Sequence, residues 1–285
     1  MSELDDFINR VKRLPPAPKI LPQLMQLLHK PNVDASRVTQ LITYDPSLTV
    51  SILHVCNSAF YGCATQVTSI EEAITRLGFR EVYRIVAAAS GARALSAGQQ
   101  AYGLDEGDLW KHSVTAAVAA QILAREGGDD ENIVFTAALL HDIGKVVLAQ
   151  AMEGAYLDLL NEVEESQQSL LDAEKKLLGV QHAEIGGRLL ARWSFPPNLV
   201  AAVTCHHHPG EAKAHTKLAS YVYLGNMIAY FIGHGFGHQA FAFRGRTEAL
   251  SLVGLRAEQL PRYMIKTVEN FEAVEALLNV EAAPA

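Results

Sequence analysis

Histidines and one aspartate fall at the ends of separate helical stretches, and this placement constrains the fold more than any other feature. They are His112, the pair His141-Asp142 inside the string HDIGK, His182, and the run His206-His207-His208. A neutral imidazole donates a nitrogen lone pair to a borderline metal, and a carboxylate can bridge two ions. One helix cannot surround an ion, so the ligands of such a site must come from several helices whose inward faces converge. The spacing puts His112 near the start of one helix and His141-Asp142 at the end of the next, with a break or bend expected at Gly144. His182 opens a third helix, and His206-His207 closes a fourth. These ends are expected to meet at one rim. A single histidine at a helix end is ordinarily a surface or capping residue; it is the ordered set that points to a metal. His29, His54, His215, His234 and His238 have no such context and read as structural or solvent-facing. Cys205, next to His206, reads as a small buried core residue.

Helical signals run along the rest of the chain. Asp34 is expected to cap a helix through Leu41, and Asp45-Pro46 gives a cap followed by proline at the first helical position. Ser69 and Glu72 form a capping box for a helix carrying Ile70, Ala73, Ile74 and Leu77, which Gly78 ends. A longer alanine-rich helix covers 80–95. The string SAGQQAYGLDEG over 96–107 marks a soft boundary. Further helices are expected over 108–125, 131–140, 155–163, 169–178, 182–193, 197–206 and 216–232. The glycine-rich stretch 233–246 reads as a loop and 258–278 as a last helical pair. No run alternates with period two. The expected fold is all-α, with an N-terminal bundle of short helices over 1–98 and a helical domain holding the candidate metal pocket over 99–285.

Composition narrows the function classes. Of 285 residues, 49% are apolar and 19% charged, which suits a globular chain with a sizeable core. The net charge of -7 argues against a broad nucleic-acid footprint, which needs clustered Lys and Arg. Cys56, Cys63 and Cys205 are too few and too irregular for a disulfide framework. The opening MSELDDFINRVKRLPP lacks an apolar signal region, and the longest apolar stretch, 218–232, is too short and too polar for a membrane span. A cytoplasmic location and no membrane partner are therefore expected.

The ordered set resembles the HD superfamily of metal-dependent phosphohydrolases, and the surrounding sequence resembles its HDOD branch. ITYDPSLTVSILHVCNSAFYG and SIEEAITRLGFREVYRIV are similar to the opening half of HDOD domains. KHSVTAAVAAQILA, FTAALLHDIGKVVLA and HAEIGGRLLARWSFPPNLVAAVTCHHHP are similar to the second half. The resemblance covers residues 14–232 and implies an HD-type helical domain. It implies that His112, His141 and Asp142 are metal ligands, joined by His182, His206 and His207 as in dinuclear members such as the HD-GYP phosphodiesterases. It places Lys145 beside a substrate phosphate, so Asp142 and Lys145 are the candidate catalytic residues. Two departures stand out. Asn226 occupies the place of a late aspartate ligand, and His208-Pro209-Gly210 replaces the GYP string.

Two divalent ions bring four positive charges together, and Asp142 is the one carboxylate that the family pattern supplies here. Imidazole-rich sites suit iron, nickel, zinc or copper better than magnesium, and one or two divalent transition-metal ions (iron, nickel, zinc or manganese) are expected. Lys145 has two readings: it neutralises a phosphate oxygen, or it pairs with Asp142 and helps to hold the fold. The resemblance implies a bacterial signalling output or interaction protein with reduced or absent catalysis. Its implied partners are signalling proteins and a nucleotide-like phosphate ligand. The alternative is a metal-dependent phosphohydrolase acting on a nucleotide or cyclic dinucleotide. A third option is that the histidines are relics that bind no metal.

Overall fold

The computed structural model describes residues 3–11, 14–28, 35–58, 61, 66–97, 102–151, 169–235 and 247–275. Among them every regular element is helical and no strand forms, in line with the pattern of the sequence. An N-terminal layer comprises α1 (Glu3–Arg10), α2 (Ile20–Leu28), α3 (Ala35–Thr43), α4 (Pro46–Cys56), α5 (Ile70–Leu77) and α6 (Phe79–Leu95). The second half comprises α7 (Asp108–Glu126), α8 (Glu131–Leu140), α9 (Ile143–Ala151), α10 (Leu170–Leu178), α11 (His182–Arg192), α12 (Pro197–Thr204), α13 (Thr216–Ile232), α14 (Thr247–Leu252) and α15 (Leu260–Glu275).

Local chemistry sets the helix starts. The Asp45 carboxylate accepts a hydrogen bond from Leu48 N at 3.1 Å while Pro46 occupies the first turn of α4. Ser69 Oγ accepts from Glu72 N at 3.2 Å, but the return arm of the expected capping box differs. The Glu72 carboxylate accepts from Thr68 N at 2.9 Å, one residue before the cap. Gly78 ends α5 and opens α6 in the same step, at φ +81°.

Helix α6 joins the two halves. It packs on α4 and α5 on one side and on α7 and α8 on the other. Tyr83 is buried in that seam, and its hydroxyl meets Thr136 Oγ1 at 2.6 Å. Arg188 and Arg192 of α11 reach Asp5 of α1 at 2.8 and 2.7 Å, so the first helix is clasped to the second half. A single apolar cluster runs from Ile8 to Phe271. At its centre α7 packs along α13, and α7 is buried over nearly its whole length.

Several expectations shift. The break after α8 falls at His141-Asp142 rather than at Gly144, which lies inside α9. Gly144 is required there for another reason: a Cβ at that position would sit 1.9 Å from the His182 carbonyl oxygen. It lets α9 dock against the start of α11. The last helical pair is one helix, α15, preceded by a 3-10 turn over Ala257–Gln259. The segment Glu131–Ala151, not 218–232, is long and apolar enough to cross a membrane. However, 89% of its apolar window is buried inside the protein, and it contains His141, Asp142 and Lys145. The Asp34 cap, His29, His238, the helix over 155–163 and the loop over 236–246 lie outside the described residues.

Candidate metal centre

The helix ends do converge, in the interior rather than at a rim. His112 lies on the first turns of α7, and His141 and Asp142 form the turn between α8 and α9. His182 is the first residue of α11, and His206 and His207 follow α12. His112, His141, Asp142, His182 and His206 are at most 1% exposed; His207 is the partly exposed member. Neighbouring rings form a chain: His112 to His141 at 5.3 Å, His141 to His206 at 4.9 Å and His206 to His207 at 4.0 Å between centroids.

Asp142 sits between two groups of imidazoles and turns one oxygen towards each. Its Oδ2 lies 3.5 Å from His112 Nε2 and 3.3 Å from His141 Nε2, and it pairs with Lys145 Nζ. Its Oδ1 lies 3.3 Å from His182 Nε2 and 3.7 Å from His206 Nε2. The ligand atoms of His112, His141 and Asp142 all lie within 4.8 Å of one another, and so do those of Asp142, His182, His206 and His207. Each group can hold a metal ion.

The hydrogen bonds fix which nitrogen is available. A main-chain carbonyl accepts and cannot donate, so a ring nitrogen facing one must carry the proton. His141 Nδ1 donates to Ala138 O at 2.6 Å, His206 Nδ1 to Val203 O at 2.7 Å, and His112 Nδ1 to His234 O at 3.1 Å. The lone pair of each ring is thereby left on Nε2, aimed at Asp142. The Nε2 atoms of His112, His141 and His206 and the Oδ1 of Asp142 are buried without a hydrogen-bond partner. Unpaired buried polar atoms are rare and costly, and divalent ions in the two groups would satisfy all four. His182 Nε2 and His207 Nε2 face each other at 2.9 Å; two lone pairs cannot do so without a proton or an ion between them. The donor set therefore fits a metal.

Charge supports the same conclusion. Burial pushes His112 down to about 3, with Asp142 opposing only in part, and burial also holds His206 and His207 well below the ordinary histidine value. These rings stay neutral and keep their lone pairs. Burial works against the Asp142 carboxylate, but the neighbouring His141 ring and the Lys145 ammonium outweigh it and hold Asp142 well below the usual carboxylate range. Burial also works against a charged His182, yet the Glu174 carboxylate reverses the balance and raises it.

Glu174 was not picked out from the sequence. It is fully buried on α10, and both its oxygens lie 2.9 Å from His182 Nδ1. Its position four residues from both Leu170 and Leu178 put a carboxylate in the apolar stripe of that helix, which was the available signal. His234, read from sequence as lacking context, supplies the carbonyl that anchors His112. Its ring Nδ1 meets Thr115 Oγ1 at 2.7 Å. Asn226 is buried on α13 with its Oδ1 unpartnered. Cys205 is partly exposed, not fully buried as expected.

A helical bundle with an HD turn at the meeting point of histidines from four helix ends is an HD-type domain. The HDOD domain matches residues 14–209, and the chain belongs to that family. A protein of Treponema pallidum with no assigned role is 28% identical over 275 residues, covering 93% of this chain and 51% of the relative. Ribonuclease Y of Opitutus terrae is 33% identical over 118 residues, 41% of this chain and 17% of that enzyme. The chain thus spans about half of one curated relative and under a fifth of the other. Among solved structures, a provisionally assigned phosphohydrolase of Shewanella amazonensis superposes with TM-score 0.72 at 25% identity, covering 96% of this chain and 97% of that one. An HDOD domain protein of Geobacter sulfurreducens, of unknown function, superposes with TM-score 0.73 at 22% identity over 98% and 92% of the two chains.

Proposed function

We propose that this chain is a signalling output or interaction module whose HD-type pocket binds one or two divalent transition-metal ions and turns over phosphoesters slowly or not at all. The observation that carries the metal reading is the set of Nδ1–H anchors on His112, His141 and His206, which leaves three buried Nε2 lone pairs aimed at one carboxylate. A bound divalent ion would polarise a phosphoryl oxygen or acidify a water.

The weak-catalysis reading draws on Lys145 and Asn226. Lys145 is 2% exposed and paired with Asp142, the second of the two roles open to it, so its charge is already committed. Asn226 brings no charge to α13 where active relatives of the superfamily place a carboxylate. With nearly every donor buried, a phosphate ligand also has little direct access except past His207. Partners would then be signalling proteins, with a nucleotide-like phosphate as the candidate small ligand.

The second reading, a metal-dependent phosphohydrolase, is favoured by the way Asp142 divides its two oxygens between two histidine groups. That is the layout a two-ion hydrolase needs. The two readings separate in one experiment. The purified chain is analysed for bound metal, then supplied with manganese, iron or nickel and a generic phosphodiester. Metal bound to the unaltered chain and lost in His141→Ala, without turnover, supports the first reading. Metal-dependent turnover abolished in the same variant replaces it with the second. Metal retained in His141→Ala and Asp142→Ala alike removes this pocket from both.

A further inference from the structure

The sequence supplies one carboxylate to the pocket, and the fold adds another behind it. We propose that Glu174 is the positioning residue of the metal centre: its carboxylate locks the His182 ring with Nδ1 protonated and Nε2 open to the metal, and it supplies the negative charge that the ligand set lacks. The proposal rests on the metal-binding reading above.

Three contacts place Glu174. Both carboxylate oxygens lie 2.9 Å from His182 Nδ1, and Oε2 also accepts the His182 backbone N–H at 2.8 Å. Oε1 accepts the Tyr102 hydroxyl at 3.0 Å, and Tyr102 is itself fully buried. The backbone contact matters because His182 is the first residue of α11. Its N–H is one of the donors that a helix start leaves unpaired, and a carboxylate there is favoured by the helix dipole. One buried side chain therefore fixes both the main chain and the ring of the same ligand. Neither rotation of the ring nor exchange of its tautomer is possible without breaking a charge-assisted bond.

Glu174 also differs in kind from the other anchors. His112, His141 and His206 donate to neutral carbonyls. An ionised carboxylate behind an imidazole makes it a stronger donor to a metal, and loss of such a partner typically weakens metal affinity by about 10- to 100-fold. The formal charge changes in the same direction. The paired Asp142 and Lys145 cancel, so with the rings neutral, as metal ligands must be, the buried set has no net charge without Glu174 and a net negative charge with it. A divalent cation entering a dry pocket needs that charge.

The test uses the full chain in unaltered, Glu174→Gln, Glu174→Ala and Tyr102→Phe forms, with folding checked by circular dichroism. Cobalt(II) is titrated and its visible bands recorded, and the ring nitrogens of His182 are followed by nitrogen-15 NMR on the metal-free protein at alkaline pH, where the ring is neutral. Glu174→Gln should bind cobalt about 10- to 100-fold more weakly with altered bands. Glu174→Ala should lose the pure Nδ1–H form of His182, and Tyr102→Phe, which keeps the carboxylate, should show a smaller change of the same sign. Unchanged cobalt affinity and bands in folded Glu174→Gln, with His182 still purely Nδ1-protonated in Glu174→Ala, would overturn the proposal. If the unaltered chain takes up no cobalt, the metal reading fails by itself. The metal-free ring spectra then decide whether Glu174 sets the tautomer. Should the alanine variant not fold, the glutamine and phenylalanine variants decide.

Discussion

The two sides of the Asp142 carboxylate are built differently. On the Oδ2 side stand His112, His141 and the ammonium of Lys145, with neutral carbonyls behind the rings. On the Oδ1 side stand His182, His206 and His207, with the Glu174 carboxylate behind one ring and partial exposure at His207. On the first side the Lys145 ammonium already pairs with Oδ2, a positive charge that works against an incoming cation. The second offers three imidazoles, a negative charge and a way in. On the metal-binding reading, the charge stationed behind the ligands, rather than ligand count alone, ranks the two sides. The first ion is expected on the Oδ1 side.

The harshest test removes what both sides share. Asp142→Ala takes away the carboxylate that pairs with the buried Lys145 ammonium, which should lower stability in urea unfolding by more than any other single change here and abolish metal uptake. If the variant keeps both stability and metal, the shared-carboxylate account is wrong. Next comes the asymmetry itself. His206→Ala should weaken the first cobalt ion by about tenfold or more, roughly 1.4 kcal/mol, while His112→Ala leaves that ion within about a fewfold. The reverse ranking in a calorimetric titration would invert the comparison.

Acid provides a third probe, in the metal-free protein. An unfolded histidine takes up its proton near pH 6.5, whereas His112, His206 and His207 resist it in the fold, His112 down to about 3. Below about pH 6.5 the unfolded chain therefore binds protons that the native chain refuses. Stability falls as pH drops, by up to about 1.4 kcal/mol per unit for each ring. His182 has the opposite sign: its raised value gives stability that is full below about 6.5 and lost as pH climbs through that value. Unfolding measured between about pH 7 and 4 should steepen towards acid. Replacing His206 and His207 together should flatten the curve more than replacing His112. Thr115→Val gives the smallest effect. It removes the hydroxyl that meets the His234 ring, and should cost about 1 kcal/mol without changing the affinity of the first cobalt ion. A large loss of that ion would tie the two sides together more tightly than the comparison allows.

How much could be read in advance differs between ligands and their supports. Asp45-Pro46 and Ser69 announced their helices because a cap is a contact between residues three apart in the chain. The break before α9 is misplaced from sequence because glycine reads as a local helix-breaker. Gly144 instead answers to the His182 carbonyl of another helix. Glu174 escaped notice because Asp172, Lys175 and Lys176 around it make α10 look solvated. Its burial follows from the start of α11 docking on that face. His234 could not have been tied to His112 by any spacing, since the two lie 122 residues apart.

The sequence by itself determined the helices, the order of the histidines and the single aspartate among them, because periodicity, caps and donor chemistry are properties of short stretches. Only the tertiary structure decided that Asp142 would divide its oxygens between two sets of rings, that Lys145 would be tied to one of them, and that Glu174 would stand behind the other. Those outcomes depend on which faces of distant helices meet out of water, where an unbalanced charge or an unpaired nitrogen is most costly.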